Sequence, residues 1–472
     1  MALSKLLIGG RWVDGISTDR LLDKFKGRAF GEMAVASLNQ VDEAVAGVYE
    51  AVANSKLGPY DRYTILSKAA RLLDDRFEHL IDLMRDEVGF TRADGENEVR
   101  RCVQTLELSA EEAKRLNGDL IPMAAAAGMS NRLGFTIRAP RGVVCAITPF
   151  NSPLNVVAHK IAPALAGGNS VILKPSEHTP LSAVELCRLL IDAGLPPEML
   201  ALVHGPGEPL GKRLLADQRI AFYAFTGSTR VGREIQAAAG LRGTQLELGS
   251  IASTIVCGDA DVERAIPKII NAAFRKAGQV CTSVQKLFVD RRIAATFVPK
   301  FVESVKALKV GDPADAAVVI GPMISMASAE RAALWVNDAV VAGARVLTGG
   351  RHESALFMPT VIDQVTADMR VVCEEIFAPV VCIIEFDKLD DAVAQANATP
   401  FGLAAGLFTS DISTALRTAP KMRFGGVHIN EASSARVDVM PFGGVKDSGF
   451  GREGPAYAIR EMTEERLITV AY

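Results

Sequence analysis

Hydrophobic residues recur with two different periods along the chain. From about residue 40 to 117 they fall at three- and four-residue steps. Val41, Ala44, Val45 and Val48 form one such set, and Leu66, Ala69, Ala70 and Leu73 another. That spacing lines one face of a helix. A third helix is expected over 97–116, closed by Asn117-Gly118-Asp119. Residues 5–35 read as short strands with turns, as in Leu6-Leu-Ile-Gly-Gly-Arg-Trp12. Residues 119–140 lose the helical period and are broken by Pro122, Gly128, Gly134 and Pro140. They read as an extended two-stranded excursion suited to a contact between subunits.

From 141 the pattern changes to continuous apolar runs alternating with helical ones. Val143–Ile147, Ser170–Leu173, Leu200–Val203 and Ile220–Phe225 are the runs, and helices are expected near 153–165, 181–193, 208–215 and 229–239. Runs without polar alternation, separated by helices, predict a parallel sheet buried on both faces. In a doubly wound sheet of this kind the ligand sits at the carboxyl ends of the strands. A second α/β series begins near 253. Its strands are expected near 253–256, 284–289, 380–386, 404–408 and 425–430, and its helices near 261–276, 294–307, 326–341, 388–396 and 411–420.

At 472 residues the chain is too long for one compact core, so two or three domains are expected. A net charge of −3 without a Lys/Arg cluster argues against a nucleic-acid partner. The longest apolar runs, such as Ala124–Ala127 and Ile251–Val256, are far below a membrane span. The start, Met1-Ala-Leu-Ser-Lys-Leu-Leu-Ile-Gly-Gly, is broken too soon for a signal peptide, and a cytoplasmic location is expected. Seven scattered cysteines, an odd number without a CxxC pair, fit neither a disulfide framework nor a zinc site, and no metal is expected.

One of the seven stands out. Cys281 lies in Lys276-Ala-Gly-Gln-Val-Cys-Thr-Ser283, where a helical run gives way to the strand-like Val284–Val289. A thiol at such a break can be aimed into a cleft and act as a nucleophile. Asn151, after Thr148-Pro-Phe at the end of a strand, offers an amide to a developing oxyanion. Glu247 lies in Gln245-Leu-Glu-Leu-Gly249 at the seam between the two α/β series. A carboxyl among apolar residues has a raised pKa and suits a general base. Phe225-Thr-Gly-Ser-Thr-Arg-Val-Gly232 follows a strand and opens a helix, with Ser228 or Thr229 as cap, and its free amides favour a phosphate. Gly205-Pro-Gly-Glu-Pro-Leu-Gly211 reads as a turn into a helix. Lys174, at a strand end before Pro-Ser-Glu177, pairs a cation with a carboxylate that suit ribose hydroxyls.

Taken together and in order, these motifs resemble the aldehyde dehydrogenase superfamily. Thr-Pro-Phe-Asn151, Lys174-Pro-Ser-Glu, Phe225-Thr-Gly-Ser, Glu247-Leu-Gly, Gly278-Gln-Val-Cys281, Glu374-Glu-Ile-Phe377 and Pro441-Phe-Gly-Gly444 carry the likeness, from about residue 5 to the C-terminus. The resemblance implies an NAD-binding domain over 1–118 and 141–246, a catalytic domain over 247–446, and bridging or oligomerisation segments over 119–140 and 447–472. It implies that Cys281 attacks the aldehyde to give a thiohemiacetal. Asn151 and the Cys281 N–H would hold the oxyanion, hydride would pass to the nicotinamide, and Glu247 would activate water against the thioester. Lys160 and Glu464 match positions of a proton relay. Lys174 and Glu177 match adenosine-ribose contacts, Ser228 a pyrophosphate contact, and Glu375 and Phe377 the nicotinamide contacts. Thr148, Pro149, Phe150, Gly207, Gly227 and Gly249 complete the implied cofactor site. Glu177 repels a 2′-phosphate, so NAD is expected over NADP. Gly249-Ser-Ile251 departs from the family's Gly-Gly-Lys.

Arg436-Val-Asp-Val-Met-Pro resembles the branch containing lactaldehyde, phosphonoacetaldehyde and non-phosphorylating glyceraldehyde-3-phosphate dehydrogenases. That implies a small aldehyde, hydroxylated or anionic, as substrate. Arg101 resembles an anion-binding arginine, and Val280, Thr282 and Arg436 complete the implied substrate contacts. Apolar Val280, just before the cysteine, argues against a phosphate or phosphonate. A homodimer or homotetramer is expected. Two other readings remain at this stage: a coenzyme A-acylating dehydrogenase and a non-enzymatic NAD-binding relative.

Overall fold

A computed structural model describes residues 2–472; Met1, where the reading of the chain start begins, lies outside them. Two large sheets carry the fold. The first runs in the order Gly449–Phe450, Gly243–Glu247, Ile220–Thr226, Val143–Ile147, Ser170–Lys174, Leu200–Leu202, Leu6–Ile8, Arg11–Val13. Its five inner strands are parallel, as the uninterrupted apolar runs require. The outer strands, Gly449–Phe450 on one side and Leu6–Ile8 with Arg11–Val13 on the other, pair antiparallel. The sheet is thus parallel only in its middle.

Strand order reverses beside Val143–Ile147, with one neighbour following it in sequence and the other coming two strands later. The carboxyl end of that strand is a topological switch point, and Thr148-Pro149-Phe150-Asn151 sits there. The second sheet runs Arg345–Thr348, Thr360–Asp363, Val380–Phe386, Val284–Asp290, Ala252–Val256, Ala404–Phe408, Gly426–Ile429. Its first two strands are absent from the periodicity reading. They are short and partly polar at the sheet edge, and the first pairs antiparallel.

Four helices, not three, precede the first central strand: Leu38–Asn54, Pro59–Asp75, Phe77–Val88 and Arg92–Arg115. Only Arg76 separates the second from the third, so their apolar periods run together in the sequence. The fourth starts ahead of 97 because Thr91 caps it, its hydroxyl accepting from the Asp94 N–H at 3.3 Å. Residues 119–140 form the expected paired strands, and Thr463–Ala471 adds a third, in register along Arg132–Pro140. Residues 449–461 of the C-terminal segment pack with the first sheet instead, through Gly449–Phe450 and the helix Pro455–Glu461. Apolar cores fill both faces of both large sheets.

Candidate active site

The carboxyl ends of the two sheets face one cleft of about 1260 Å³. It is lined by Asn151, Glu247 and Cys281, and by every expected cofactor and substrate position. Pro149 and Phe150 come from the switch point, Glu247 from the end of Gly243–Glu247, and Cys281 from the loop between the helix Val262–Phe274 and the strand Val284–Asp290.

That loop is unusual in its backbone. Lys276, Ala277 and Gly278 are consecutive left-handed residues, with φ of 52°, 52° and 67°. Gly278 admits no side chain, because a Cβ would lie 2.4 Å from the Ala378 backbone. The tight turn brings Cys281 to the cleft wall, held from across it: the Asn151 side-chain amide donates to the Gln279 carbonyl at 2.8 Å. Among the described residues, Asn151 Nδ2 makes no second hydrogen bond. Burial pushes the Cys281 thiol up to about 12; Arg436 opposes this, and Glu247 and Glu375 add to it.

Glu247 is 3% exposed and neither of its oxygens has a protein partner. Burial, then the charge of Glu453, pushes its carboxyl well above the ordinary range, and Lys160 and Arg436 only partly offset this. Glu453 is the opposite case. Burial pushes it up, but Lys160 and Arg436 outweigh burial and hold it below the usual carboxylate range. Lys160 Nζ lies 2.8 Å from Glu453 Oε1 and 3.1 Å from Gln245 Oε1, and Arg436 Nη2 lies 2.7 Å from Glu453 Oε2.

The other end of the cleft suits a dinucleotide. Lys174 is buried, and burial lowers its ammonium pKa. Glu177 Oε2 accepts from the Gly207 N–H at 3.1 Å, joining two loops at one rim. Ser228 caps the helix Thr229–Ala239, so its hydroxyl accepts from the Val231 N–H at 3.4 Å. Gly227 donates to the Glu247 carbonyl at 3.0 Å. Thr148 Oγ1 is buried without a partner, an orphaned polar atom at the switch point. Phe150 and Phe377 meet edge to face, 5.9 Å between ring centres, with Phe377 at φ 51°. Ser250, the departure from the family pattern, donates its N–H to Glu375 Oε1 at 2.9 Å. Burial raises Glu375 to about 7, against that hydrogen bond. A Cβ at Gly249 would come within 2.8 Å of Glu375 Oε2, so a side chain there would make that carboxyl shift. These residues fit NAD(P).

Four arginines line the cleft, and three carry carboxylate partners: Arg101 with Asp438, Arg230 with Glu234, Arg436 with Glu453. Among the described residues, Arg275 forms no salt bridge. Its Nη2 donates to Ser434 Oγ at 2.6 Å, and Ser434 Oγ is 2.9 Å from Thr282 Oγ1, next to Cys281. Burial, then the charge of Arg101, lowers its pKa, which marks an under-compensated cation.

The family model described as "Aldehyde dehydrogenase family" matches residues 12–468. The chain belongs to the aldehyde dehydrogenase family. A 3-sulfolactaldehyde dehydrogenase of Priestia aryabhattai is 45% identical over 98% of this chain and 97% of its own. Aldehyde dehydrogenase 21 of Physcomitrella patens, in complex with the reaction product succinate, superposes with a TM-score of 0.97 at 34% identity, covering 100% of this chain and 98% of that one. The glyceraldehyde-3-phosphate dehydrogenase GapN of Methanocaldococcus jannaschii, complexed with NADP, gives 0.93 at 36% identity, over 97% and 100%. The protein is an NAD(P)-dependent aldehyde dehydrogenase with the α/β fold of that family.

One expected site residue is misplaced. Glu464 of this dehydrogenase lies on the strand Thr463–Ala471, opposite Ala139, and pairs with Arg466 on the surface. The acid that meets Lys160 is Glu453. The chain doubles back at Gly451-Arg-Glu453-Gly454, with Gly451 at φ 81° and Gly454 at 100°, and this turn returns Glu453 to the cleft. Its place soon after Pro441-Phe-Gly-Gly444 is the signal that could have found it. Arg275 and Ser434 also line the cleft and lie outside the sequence expectations. An arginine six positions before the nucleophile, at the end of an apolar helix face, could have marked the first.

Proposed function

We propose that this dehydrogenase oxidises a small aldehyde carrying one negative charge, a carboxylate or a sulfonate, to the corresponding acid. The observation that supports this is Arg275, a half-buried residue of the cleft wall that forms no salt bridge among the described residues and whose Nη2 donates to Ser434 Oγ, itself 2.9 Å from Thr282 Oγ1 next to Cys281. Partly desolvating an unpaired charge is costly, and a substrate anion would compensate it. Arg101 adds a second cationic wall, but two of its donors are spent on Asp438, at 2.7 and 3.0 Å. One uncompensated cation matches one negative charge, so a dianionic phosphate is disfavoured, as Val280 also suggests. The resemblance to a 3-sulfolactaldehyde dehydrogenase and to an enzyme holding succinate points the same way.

In this reading Cys281 Sγ attacks the carbonyl carbon, and its proton passes to Glu247. The oxyanion takes hydrogen bonds from Asn151 Nδ2 and the Cys281 N–H. When bound, NAD(P)+ supplies the hydride acceptor, held by Lys174, Glu177, Ser228, Glu375 and Phe377, with Thr148, Pro149, Phe150, Gly207, Gly227 and Gly249 shaping the trough. With the acyl group on Cys281 as a thioester, Glu247 first releases the thiol proton to solvent; it then takes a proton from water as the hydroxide adds to the acyl carbon, and the Cys281 thiolate leaves. Lys160 and Glu453 set the field in which Glu247 gives its proton back. A base in the cleft favours hydrolysis over acyl transfer to coenzyme A. Glu177 favours NAD, since a carboxylate accepts from ribose hydroxyls and repels a 2′-phosphate.

Exposed Leu120, Leu133, Ile137, Leu467, Ile468 and Val470 on the three-stranded sheet support a homo-oligomer, a dimer or tetramer. All seven cysteines are free, which suits a reducing compartment, and we place the enzyme in the cytoplasm.

Steady-state kinetics with three- and four-carbon aldehydes that are neutral, carboxylated, sulfonated or phosphorylated test the substrate. Arg275→Gln should raise KM for the monoanions by about 10–100-fold, in line with charge-assisted hydrogen bonds, and leave neutral aldehydes within about twofold. Equal effects on both classes would rule out the anion site.

A further inference from the structure

Behind the nucleophile loop lies an ion pair that the reaction as described does not use. Lys276 Nζ is 2.8 Å from Glu98 Oε2, and both side chains are almost fully buried. Each partner reaches further. Lys276 Nζ also donates to the Asn151 carbonyl at 3.1 Å and lies 4.3 Å above the Phe90 ring. The other oxygen of Glu98 accepts from the Ser152 hydroxyl and from the Asn155 N–H at 2.9 Å, and more weakly from Leu154 N–H at 3.4 Å. Glu98 thereby fixes the start of the fully buried helix Asn155–Ala166, directly after Asn151. At the left-handed turn of Lys276 and Ala277 the two neighbours take different partners: Arg275 bonds Ser434, and Lys276 bonds Glu98 and the Asn151 carbonyl.

The two hydrogen-bond donors of the oxyanion site come from different sheets. Asn151 follows a strand of the first, and the Cys281 N–H precedes a strand of the second. Their separation is set by whatever crosses the junction between them. Two links do so: the Asn151 amide to the Gln279 carbonyl, and Lys276, which grips Glu98 and the Asn151 carbonyl together. An ordinary fold-stabilising salt bridge would not need its third contact on the backbone of the oxyanion residue. We propose that the Lys276–Glu98 pair is a positioning device that sets Asn151 against the Cys281 loop at the spacing an oxyanion requires. This rests on the roles given above to Cys281 and Asn151. Hydrogen-bonding donors lose much of their effect when misplaced by a fraction of an ångström, so the device acts on the rate of forming the tetrahedral adduct.

Two reagents separate positioning from simple loss of structure. 4-Nitrophenyl acetate acylates Cys281: the C–S bond forms through a tetrahedral oxyanion, and 4-nitrophenolate leaves. Iodoacetamide alkylates the same sulfur by displacing iodide, with no oxyanion. Acylation is read as 4-nitrophenolate release, and alkylation by mass spectrometry of the Cys281 peptide. Lys276→Met, Glu98→Gln and the charge-neutral double variant should each slow acylation about tenfold or more, while alkylation stays within about twofold. In an Asn151→Ala background, Lys276→Met should cost less than about a further twofold, because its target is gone. Lys276→Arg should restore part of the acylation rate. Parallel losses in both reactions, or full additivity with Asn151→Ala, would overturn the positioning role. If Asn151→Ala alone leaves acylation unchanged, the oxyanion assignment itself fails, which is a separate result.

Discussion

Lys160 Nζ and Glu453 Oε1 meet at 2.8 Å, both side chains buried and both close enough to act on Glu247. The two partners act on Glu247 with opposite sign: Glu453 raises its pKa and Lys160 lowers it. Removing either charge should therefore shift the ascending limb of the pH–rate profile in opposite directions. Glu453→Gln should move the limb to lower pH, and Lys160→Met to higher pH, with about a 10–100-fold loss of kcat at neutral pH for the latter. Shifts in the same direction would show that Glu247 is not the group observed. Each single change leaves a buried charge unpaired and should cost about 3–5 kcal/mol, so melting curves must accompany the kinetics.

Cys281→Ala should abolish aldehyde oxidation while NAD still binds, as followed by calorimetric titration. The thiol is one wall of the cleft, and no expected cofactor contact depends on it. Retained turnover would reassign the nucleophile.

Asn151→Ala should lower kcat for aldehyde oxidation by about 10²–10³-fold, the usual loss for one oxyanion donor. KM should change little, since the amide acts on charge that develops after binding. A KM effect alone would make Asn151 a substrate-binding residue.

Glu247→Gln should stop steady turnover after one NADH per site, because the thioester forms and is not hydrolysed. The same change should stabilise the protein at alkaline pH. A raised folded-state pKa means the folded protein holds a proton that the unfolded chain releases above about 4.3, so wild-type stability falls as pH rises from there toward the folded value. The variant should melt on the order of 2 °C higher than wild type at pH 8, with little difference at pH 4. Equal melting differences at both pH values would remove the pKa argument.

Glu177→Ser should improve kcat/KM for NADP relative to NAD by at least about tenfold, since one repelled phosphate charge is worth on that order near a surface. An unchanged ratio would place cofactor choice elsewhere.

Much of this was readable along the chain. Apolar runs such as Val143–Ile147 and Ile220–Phe225 are long, local signals, so the central strands and the switch point at Thr148–Asn151 follow from the sequence alone. Cys281, Glu247 and Asn151 sit in contiguous motifs, and the fold brings all three to one cleft. What the sequence could not rank was pairing across hundreds of positions. Arg101, Arg275 and Arg436 are equal in one dimension. Only the fold joins Arg101 to Asp438 and Arg436 to Glu453, and leaves Arg275 on the cleft wall without a salt bridge among the described residues. The same holds for the acid beside Lys160. Glu464 and Glu453 are close in sequence, yet two left-handed glycines turn one into the cleft, while the strand pairing at Ala139 holds the other on the surface. Local periodicity determines which segments are buried. Which buried charge is compensated depends on three-dimensional neighbours, and those exist only once the chain has packed.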